Sequence, residues 1–252
     1  MAPRVGVVVF PGTNCEHDVV EALGALGGRA ELVWHRRTDL AGLDAVVLPG
    51  GFAHGDYLRP GALARFSPVM GAVSRFAAAG GPVVGICNGF QVLTEAGLLP
   101  GALQRNRQLR FVCTTVPVEV CTTRSVLTEG AEAGSRLRLP VNHFTGSYVC
   151  GPDTLAVLRA EDRVVLRYLD NPNGSFDDIA GICNEAGNVV GLMPHPERAC
   201  SELLGSCDGA VLLRSMLGAA ARVAARVPGG GWPRPSLSPG CGGSQPAGAR
   251  RH

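Results

Sequence analysis

The chain has 252 residues, of which 46% are hydrophobic and 17% are charged. This composition excludes a wholly disordered chain, which needs low hydrophobicity and high net charge, and the length suffices for one large domain or two small ones. The net charge is +2, but residues 228–252 hold three Arg and no acid, so residues 1–227 carry 20 Arg against 21 acids. A nearly neutral body argues against a nucleic-acid-binding face.

The amino-acid usage excludes further classes of protein. The chain contains no Lys, which excludes a lysine Schiff base and a Lys-dependent P-loop. Its nine Cys include no CxxC pair, so no zinc site is predicted. The first residues contain no long apolar signal segment, and no apolar run is long enough to span a membrane. We therefore expect a protein of the reducing cytoplasm that binds neither nucleic acid nor membrane.

The first half of the chain alternates strands with helices, which predicts an α/β fold. Continuous apolar runs of this kind are typical of strands that are buried on both faces of a parallel sheet. We expect three layers, with a mostly parallel twisted sheet and helices on both faces. The predicted strands are residues 5–10, 30–34, 44–48 and 82–86, and the predicted helices are residues 16–27, 67–80 and 88–97.

The second half has a different pattern, with strands that follow one another without long helices between them. It predicts an antiparallel extension of the sheet or a small β subregion, and a last helix over residues 208–226. From Pro228 onward, 15 of 25 residues are Gly, Pro or Ser, which predicts a disordered tail at 228–252 after a domain at 1–227. The predicted strands here are residues 109–120, 136–143, 154–159, 163–169, 179–183 and 188–192.

The strongest chemical signal is the segment GICNGFQ at 85–91, between a buried strand and a helix. It has the Gly-x-nucleophile-x-Gly pattern of a nucleophile elbow, with Cys87 as the nucleophile. Gly85 and Gly89 leave room where a β-carbon would collide with the neighbouring strand and helix. The helix start favours the thiolate, and the amide of Asn88 is placed to donate to an oxyanion. The other eight Cys are interpreted as structural.

The second signal is the segment MPHPER at 193–198. Pro196 pushes His195 toward extended geometry, in which residues two apart face the same way. His195 and Glu197 should therefore point together, as a base and the carboxylate that fixes its tautomer.

A third signal is the turn at Gly50, Gly51 and Phe52, after a predicted strand. Tandem glycines allow positive φ and close approach of a ligand, so this turn is a candidate for a second oxyanion amide. The two adjacent glycines also predict a turn that can adopt several conformations.

Taken together, these motifs resemble the class I glutamine amidotransferases, which have a Cys-His-Glu triad and a flavodoxin-like α/β fold. The chain is most similar to one branch of that family, the glutaminase subunits of phosphoribosylformylglycinamidine synthase, which acts in de novo purine synthesis. The resemblance covers about residues 4–222. The segments that carry it are PGTNC at 11–15, GGFAHGDYLRPGA at 50–62, GICNGFQ at 85–91 and GLMPHPER at 191–198.

The resemblance implies roles for individual residues. Cys87 would form a γ-glutamyl thioester with glutamine, His195 would carry protons, and Glu197 would orient it. Gln91 and Asn142 would help to hold glutamine. In this branch, the segment at this point is usually His-Gly-Glu-Gly. Here it is HFTG, at 143–146, directly after Asn142.

The resemblance also implies partners. No ATP or phosphoribosyl motif is visible, so the chain itself should need no cofactor or metal, and ATP and magnesium are expected on a large synthetase subunit. A small third subunit is also expected. The loop at 52–61, with Tyr57 and Arg59, is a candidate docking surface.

Three alternatives stay open at the level of sequence. One is a thiol hydrolase of the PfpI type, against which the HPER segment argues, since a late histidine followed by Glu is the glutaminase arrangement. Another is an amidotransferase that supplies a different acceptor. The third is a non-catalytic scaffold, which the intact Cys87, His195 and Glu197 argue against.

Overall fold

The computed structural model describes residues 2–226, which form an α/β fold around one large sheet. The predicted tail at 228–252 lies outside the described residues. The strands are β1 Arg4–Val9, β2 Arg29–Trp34, β3 Ala45–Leu48, β4 Val83–Ile86, β5 Ala102–Arg105, β6 Val112–Val120, β7 Arg136–His143, β8 Thr145–Val149, β9 Val164–Tyr168, β10 Ile179–Cys183 and β11 Val189–Leu192. The helices are α1 Glu16–Ala25, α2 Pro68–Ala78, α3 Asn88–Glu95, α4 Pro152–Ala160 and α5 Gly209–Arg226.

Nine strands form the main sheet in the order β2-β1-β3-β4-β11-β10-β9-β6-β7. The first five strands in this order pair in parallel, and every residue of β3, β4 and β11 is buried. From β1 to β2 the chain moves toward one edge of the sheet, and from β3 to β4 it moves toward the other edge. Right-handed crossovers therefore place α1 and α2 on opposite faces. This confirms the predicted α/β sheet, and ligands are expected at the carboxyl ends of such strands.

The other half of the sheet is antiparallel, which confirms the predicted extension. The strands β10, β9, β6 and β7 each pair antiparallel with the strand before them in the sheet order. A separate two-stranded ribbon of β5 and β8 was not predicted.

One predicted strand is wrong. Residues 154–159 lie in α4, which begins with Pro152 at its first turn. Thr154, Leu155, Val157 and Leu158 also have helical spacing, and proline is well tolerated at the start of a helix. Leu158 is the one buried residue of this helix, so α4 packs on the rest of the domain through a narrow apolar contact.

The described core consists mainly of Val, Leu, Ala and Ile side chains, as the low aromatic content predicts. None of the helices within residues 2–226 combines the length and the apolar character that crossing a membrane requires.

Candidate active site

Cys87 lies on the sharp turn between β4 and α3. Its φ of 51° and ψ of −105° place a non-glycine residue in a sparsely populated backbone region. The turn is held by the Cys87 N–H, which donates to the Leu192 carbonyl at 2.8 Å. The strained turn thus fixes a buried thiol beside the end of β11.

The glycines of this turn are required by close packing. A β-carbon on Gly89 would lie 1.9 Å from the Leu48 carbonyl oxygen, and one on Gly85 would lie 2.6 Å from the Gly89 carbonyl oxygen. The helix α3 therefore packs directly on the backbone of β3 and β4. This is the spatial reason for glycine on both sides of Cys87.

The structure brings His195 and Glu197 together. His195 Nδ1 lies 2.6 Å from Glu197 Oε1, and both residues are buried. The predicted pairing is present, but its local cause differs from the prediction. Residues Pro196–Arg198 form a short 3₁₀ turn, rather than an extended segment, and this turn carries Glu197 back toward the imidazole.

The environment of His195 favours the imidazolium. Burial lowers its pKa, but the Glu197 carboxylate and the neighbouring Cys87 and Cys15 thiols outweigh burial and raise the pKa well above the usual range. The His195 Nε2 atom is buried and has no hydrogen-bond partner within the described part of the chain. The ring is thus oriented through Nδ1, and Nε2 is left available for proton transfer.

The turn at Gly50 and Gly51 is fixed, contrary to the predicted conformational freedom. Asn14 and Cys15 N–H groups donate to the Gly50 carbonyl, and the Phe52 N–H donates to the Gly12 carbonyl at 2.9 Å. Gly51 has a φ of 144°, and a β-carbon there would lie 2.6 Å from the Asn14 nitrogen. The turn is therefore pinned against the PGTNC segment.

These contacts show which of the candidate oxyanion donors have an N–H group that is not already hydrogen-bonded. The Phe52 N–H is already used, so it does not serve as predicted. The Gly51 N–H has no acceptor among residues 2–226, and neither has the Asn88 N–H at the start of α3. The N–H groups of Gly51 and Asn88 are therefore unpaired within residues 2–226 and are the candidates for donors to an oxyanion. Gly50 contributes space, because a β-carbon there would lie 2.7 Å from His195 Cε1.

The side chains of Asn88 and Gln91 hold the walls of the site. Asn88 Oδ1 accepts from the Ala53 N–H at 3.0 Å, and Asn88 Nδ2 donates to Gln91 Oε1 at 2.8 Å. Gln91 Nε2 donates to the Thr145 carbonyl at 2.5 Å. Both ends of the Gln91 amide are engaged, so its direct contribution is to connect α3 with β8.

The opposite wall comes from the end of β7. The Asn142 carbonyl lies 3.8 Å from Cys87 Sγ, and the His195 N–H donates to the Pro140 carbonyl at 2.8 Å. His143 Nδ1 lies 3.1 Å from Asn106 Oδ1. Burial, with a contribution from the charge of His195, lowers the pKa of His143 to about 4, so this ring is neutral near pH 7.

These elements surround a cavity of about 900 Å³. It is lined by Cys87 and His195, and also by Cys15, for which the sequence predicts only a structural role. Potential ligand atoms of Cys15, His195 and Glu197 lie within 4.8 Å of one another. Glu197 is already paired with the imidazole, and Arg198 Nη2 lies 3.2 Å from Cys15 Sγ. Cys15 and Glu197 are thus each engaged in a contact within the protein.

The fold and this site define a class of protein. A family model described as a CobB/CobQ-like glutamine amidotransferase domain matches residues 2–208. The described fold also resembles a chain in the structure of PurLQS from Thermotoga maritima, with a TM-score of 0.80 and 42% identity over 86% of this chain and 99% of that one.

Similar sequences narrow the class. Phosphoribosylformylglycinamidine synthase subunit PurQ of Rubrobacter xylanophilus is 59% identical, over 86% of this chain and 99% of its own length. The subunit PurQ of Parasynechococcus marenigrum is 57% identical, over 84% of this chain and 99% of its own length. The chain belongs to the CobB/CobQ-like glutamine amidotransferase family and, within it, to the PurQ subunits of phosphoribosylformylglycinamidine synthase.

Proposed function

We propose that this chain is the glutaminase subunit of a phosphoribosylformylglycinamidine synthase. It hydrolyses glutamine to glutamate and ammonia, and ammonia passes to a synthetase partner that makes phosphoribosylformylglycinamidine. The observation that carries this proposal is the strained Cys87 turn, which places a buried thiol in the same cavity as His195, whose imidazole is paired with Glu197.

In the first half of the reaction, the sulfur of Cys87, whose proton has passed to His195 to give the imidazolium, adds to the side-chain carbonyl carbon of glutamine. The carbonyl oxygen becomes an oxyanion that accepts from the Gly51 and Asn88 N–H groups. The tetrahedral intermediate then breaks its C–N bond. His195 returns the proton to the departing nitrogen, so ammonia leaves and a γ-glutamyl thioester remains.

In the second half, water replaces ammonia. His195 removes a proton from the water as its oxygen adds to the thioester carbonyl. The tetrahedral intermediate then breaks its C–S bond, His195 returns that proton to the sulfur, and glutamate leaves. Glu197 holds the imidazole through Nδ1 throughout, which keeps Nε2 as the atom that exchanges protons.

The synthetase chemistry belongs to partner subunits. By analogy with the complex named in the PurLQS structure, the chain assembles with a large synthetase and a small third subunit. ATP and magnesium would bind to the large subunit, and this chain would need no cofactor or metal of its own. A purine biosynthetic complex of this kind operates in the cytoplasm.

The test is the variant Cys87→Ser in a reconstituted complex. Glutamine-dependent synthesis should be lost, while synthesis from added ammonium should stay within twofold of the wild-type rate, because ammonia enters after the thioester step. Cys113→Ser, at an exposed thiol, is the matched control and should retain both activities. Loss of both activities in a folded, assembled Cys87→Ser variant would refute this division of labour.

A further inference from the structure

Among residues 2–226, the cavity lining contains a single carboxylate, that of Asp56. It lies on the 3₁₀ turn Ala53–Asp56, in the segment that was predicted to be a docking loop. The carboxylate is half-buried, and its one hydrogen bond to a described residue is a long one, 3.2 Å from Asn88 Nδ2 to Oδ1. No Arg or His within residues 2–226 forms an ion pair with this carboxylate, and burial raises the pKa of Asp56 to about 6.

The cavity also contains one guanidinium without an acidic partner. Arg59 donates through Nε and Nη2 to Glu95, both at 2.6 Å. Arg198 donates to Asp18 at 2.9 Å. The Cζ atom of Arg105, on β5, lies over the Phe144 ring, 5.9 Å from its centroid. Arg105 pairs with no acid within the described residues, and it also lines the cavity. The lining thus offers one uncompensated anion and one uncompensated cation.

Free glutamine carries the complementary charges, an ammonium and a carboxylate on its α-carbon. Its α-nitrogen lies four bonds from the side-chain carbonyl carbon, a span of about 5 Å. Asp56 and Cys87 line the same cavity, and Asp56 accepts a hydrogen bond from Asn88, the residue that directly follows Cys87. An α-ammonium that loses water on binding needs an anionic acceptor, and Asp56 is the carboxylate that lines this cavity.

We infer that Asp56 binds the α-ammonium of the substrate and that Arg105 binds its α-carboxylate. The two residues select free glutamine over amides that lack either group. This inference rests on the proposed function, since it assigns the ends of the same substrate whose amide is attacked by Cys87.

The test compares three amides in the reconstituted wild-type complex and its variants at pH 8, where Asp56 is ionised. Glutaramate lacks the α-ammonium of glutamine, and 4-aminobutanamide lacks the α-carboxylate. Asp56→Asn keeps an oxygen that can accept from Asn88, so the turn retains its hydrogen bond. Arg105→Gln removes the guanidinium. Asp39→Asn, at an exposed carboxylate whose described side-chain contact is to the Ala41 N–H, is the control.

Asp56→Asn and Arg105→Gln should each lose the preference for glutamine over one analogue only. For Asp56→Asn, the preference for glutamine over glutaramate, measured as kcat/KM for amide hydrolysis, should fall on the order of 10- to 100-fold, as expected for one charged hydrogen bond. Its preference over 4-aminobutanamide should persist. Arg105→Gln should show the reverse pattern, and Asp39→Asn should match the wild type.

Two results separate this inference from its alternatives. An unchanged preference in Asp56→Asn, with weaker binding of the synthetase, would assign Asp56 to docking and overturn the inference. An unchanged preference with intact assembly would also overturn it. Failure of the proposed function is distinct, because the wild-type complex itself would then release no glutamate from glutamine. Alkylation of Cys87 by iodoacetamide, which does not depend on glutamine binding, reports whether each variant retains a folded site.

Discussion

The parallel and antiparallel halves of the sheet supply different parts of the site. Cys87 follows β4, and His195 follows β11 after two further residues; these are adjacent parallel strands in which Ile86 is paired with Leu192. The reacting groups thus come from the parallel half. The end of β7, the edge strand of the antiparallel half, supplies a wall that includes the Asn142 carbonyl and His143.

The parallel half therefore carries the reacting groups, and the antiparallel half helps to enclose them. Fully buried parallel strands leave little freedom at their carboxyl ends, so they can hold a strained nucleophile and its base. The antiparallel half is secured by buried polar side chains instead. Asn106, which is fully buried, donates to the carbonyls of Arg110 and His143 and accepts from the Gly146 N–H. Changes in the two halves should therefore have different consequences.

The largest effect is expected from Glu197→Gln, in the parallel half. An amide cannot hold the His195 imidazolium as a carboxylate does, so glutamine turnover should fall on the order of 10³-fold or more. Thermal unfolding should show a folded protein, and iodoacetamide should still label Cys87. Glu202→Gln, at an exposed residue in the next 3₁₀ turn, is the matched control and should leave turnover unchanged. Turnover of Glu197→Gln within twofold of wild type would remove Glu197 from the triad.

A pair of helix glycines tests how tightly the parallel half is packed. Gly89→Ala should destabilise the protein by about 3 kcal/mol, because its β-carbon meets the Leu48 carbonyl and the core cannot yield freely. Gly24→Ala, in α1, meets nothing within 4 Å and should stabilise by up to about 1 kcal/mol. Urea unfolding measures both. Equal stabilities for the two variants would contradict the close contact of α3 with β3.

Asn106→Ala tests the antiparallel half. It removes the acceptor of the His143 imidazole and leaves buried carbonyl groups unpaired, which should cost about 2 kcal/mol of stability. The KM for glutamine should rise more than kcat falls, since the wall moves while Cys87 and His195 stay in place. Gln108→Ala, at an exposed residue nearby, should change neither value. A fall in kcat with an unchanged KM would place Asn106 within the catalytic half instead.

The smallest effect is expected from removing the residues beyond Val227. Their Gly, Pro and Ser content leaves few apolar side chains to bury, so activity and the thermal midpoint should match those of the full chain. Activity assays and calorimetry on the truncated chain provide the measurement. A clear fall in the midpoint would show that this segment packs on the domain.

The sequence predicts the parallel half well because its signals are local. The segments of β1, β3 and β4 are short apolar runs, and such runs bury both faces only in a sheet interior. The elbow at Cys87 is also local, since its glycines and nucleophile are consecutive. The same reasoning explains why His195 and Glu197, two residues apart, could be paired from sequence.

The remaining features depend on contacts between distant segments. The Phe52 N–H is engaged by Gly12, and the Gln91 amide by Thr145, so neither residue's role could be inferred from its own surroundings. The pairing of β5 with β8 joins residues that are 40 to 47 positions apart in the chain. Asp56 stood within a predicted docking loop, and only the fold shows that it lines the cavity.

The most direct test of the central claim is to trap the nucleophile. Two thiols, Cys87 and Cys15, flank His195, so a covalent label must be assigned to one of them. The full chain, assembled with its partners, is treated with the glutamine analogue diazo-oxo-norleucine and examined by intact-mass and peptide mass spectrometry. We expect one adduct per chain, located on Cys87 and prevented by excess glutamine. An adduct on Cys15, or no adduct in a complex that hydrolyses glutamine, would contradict it.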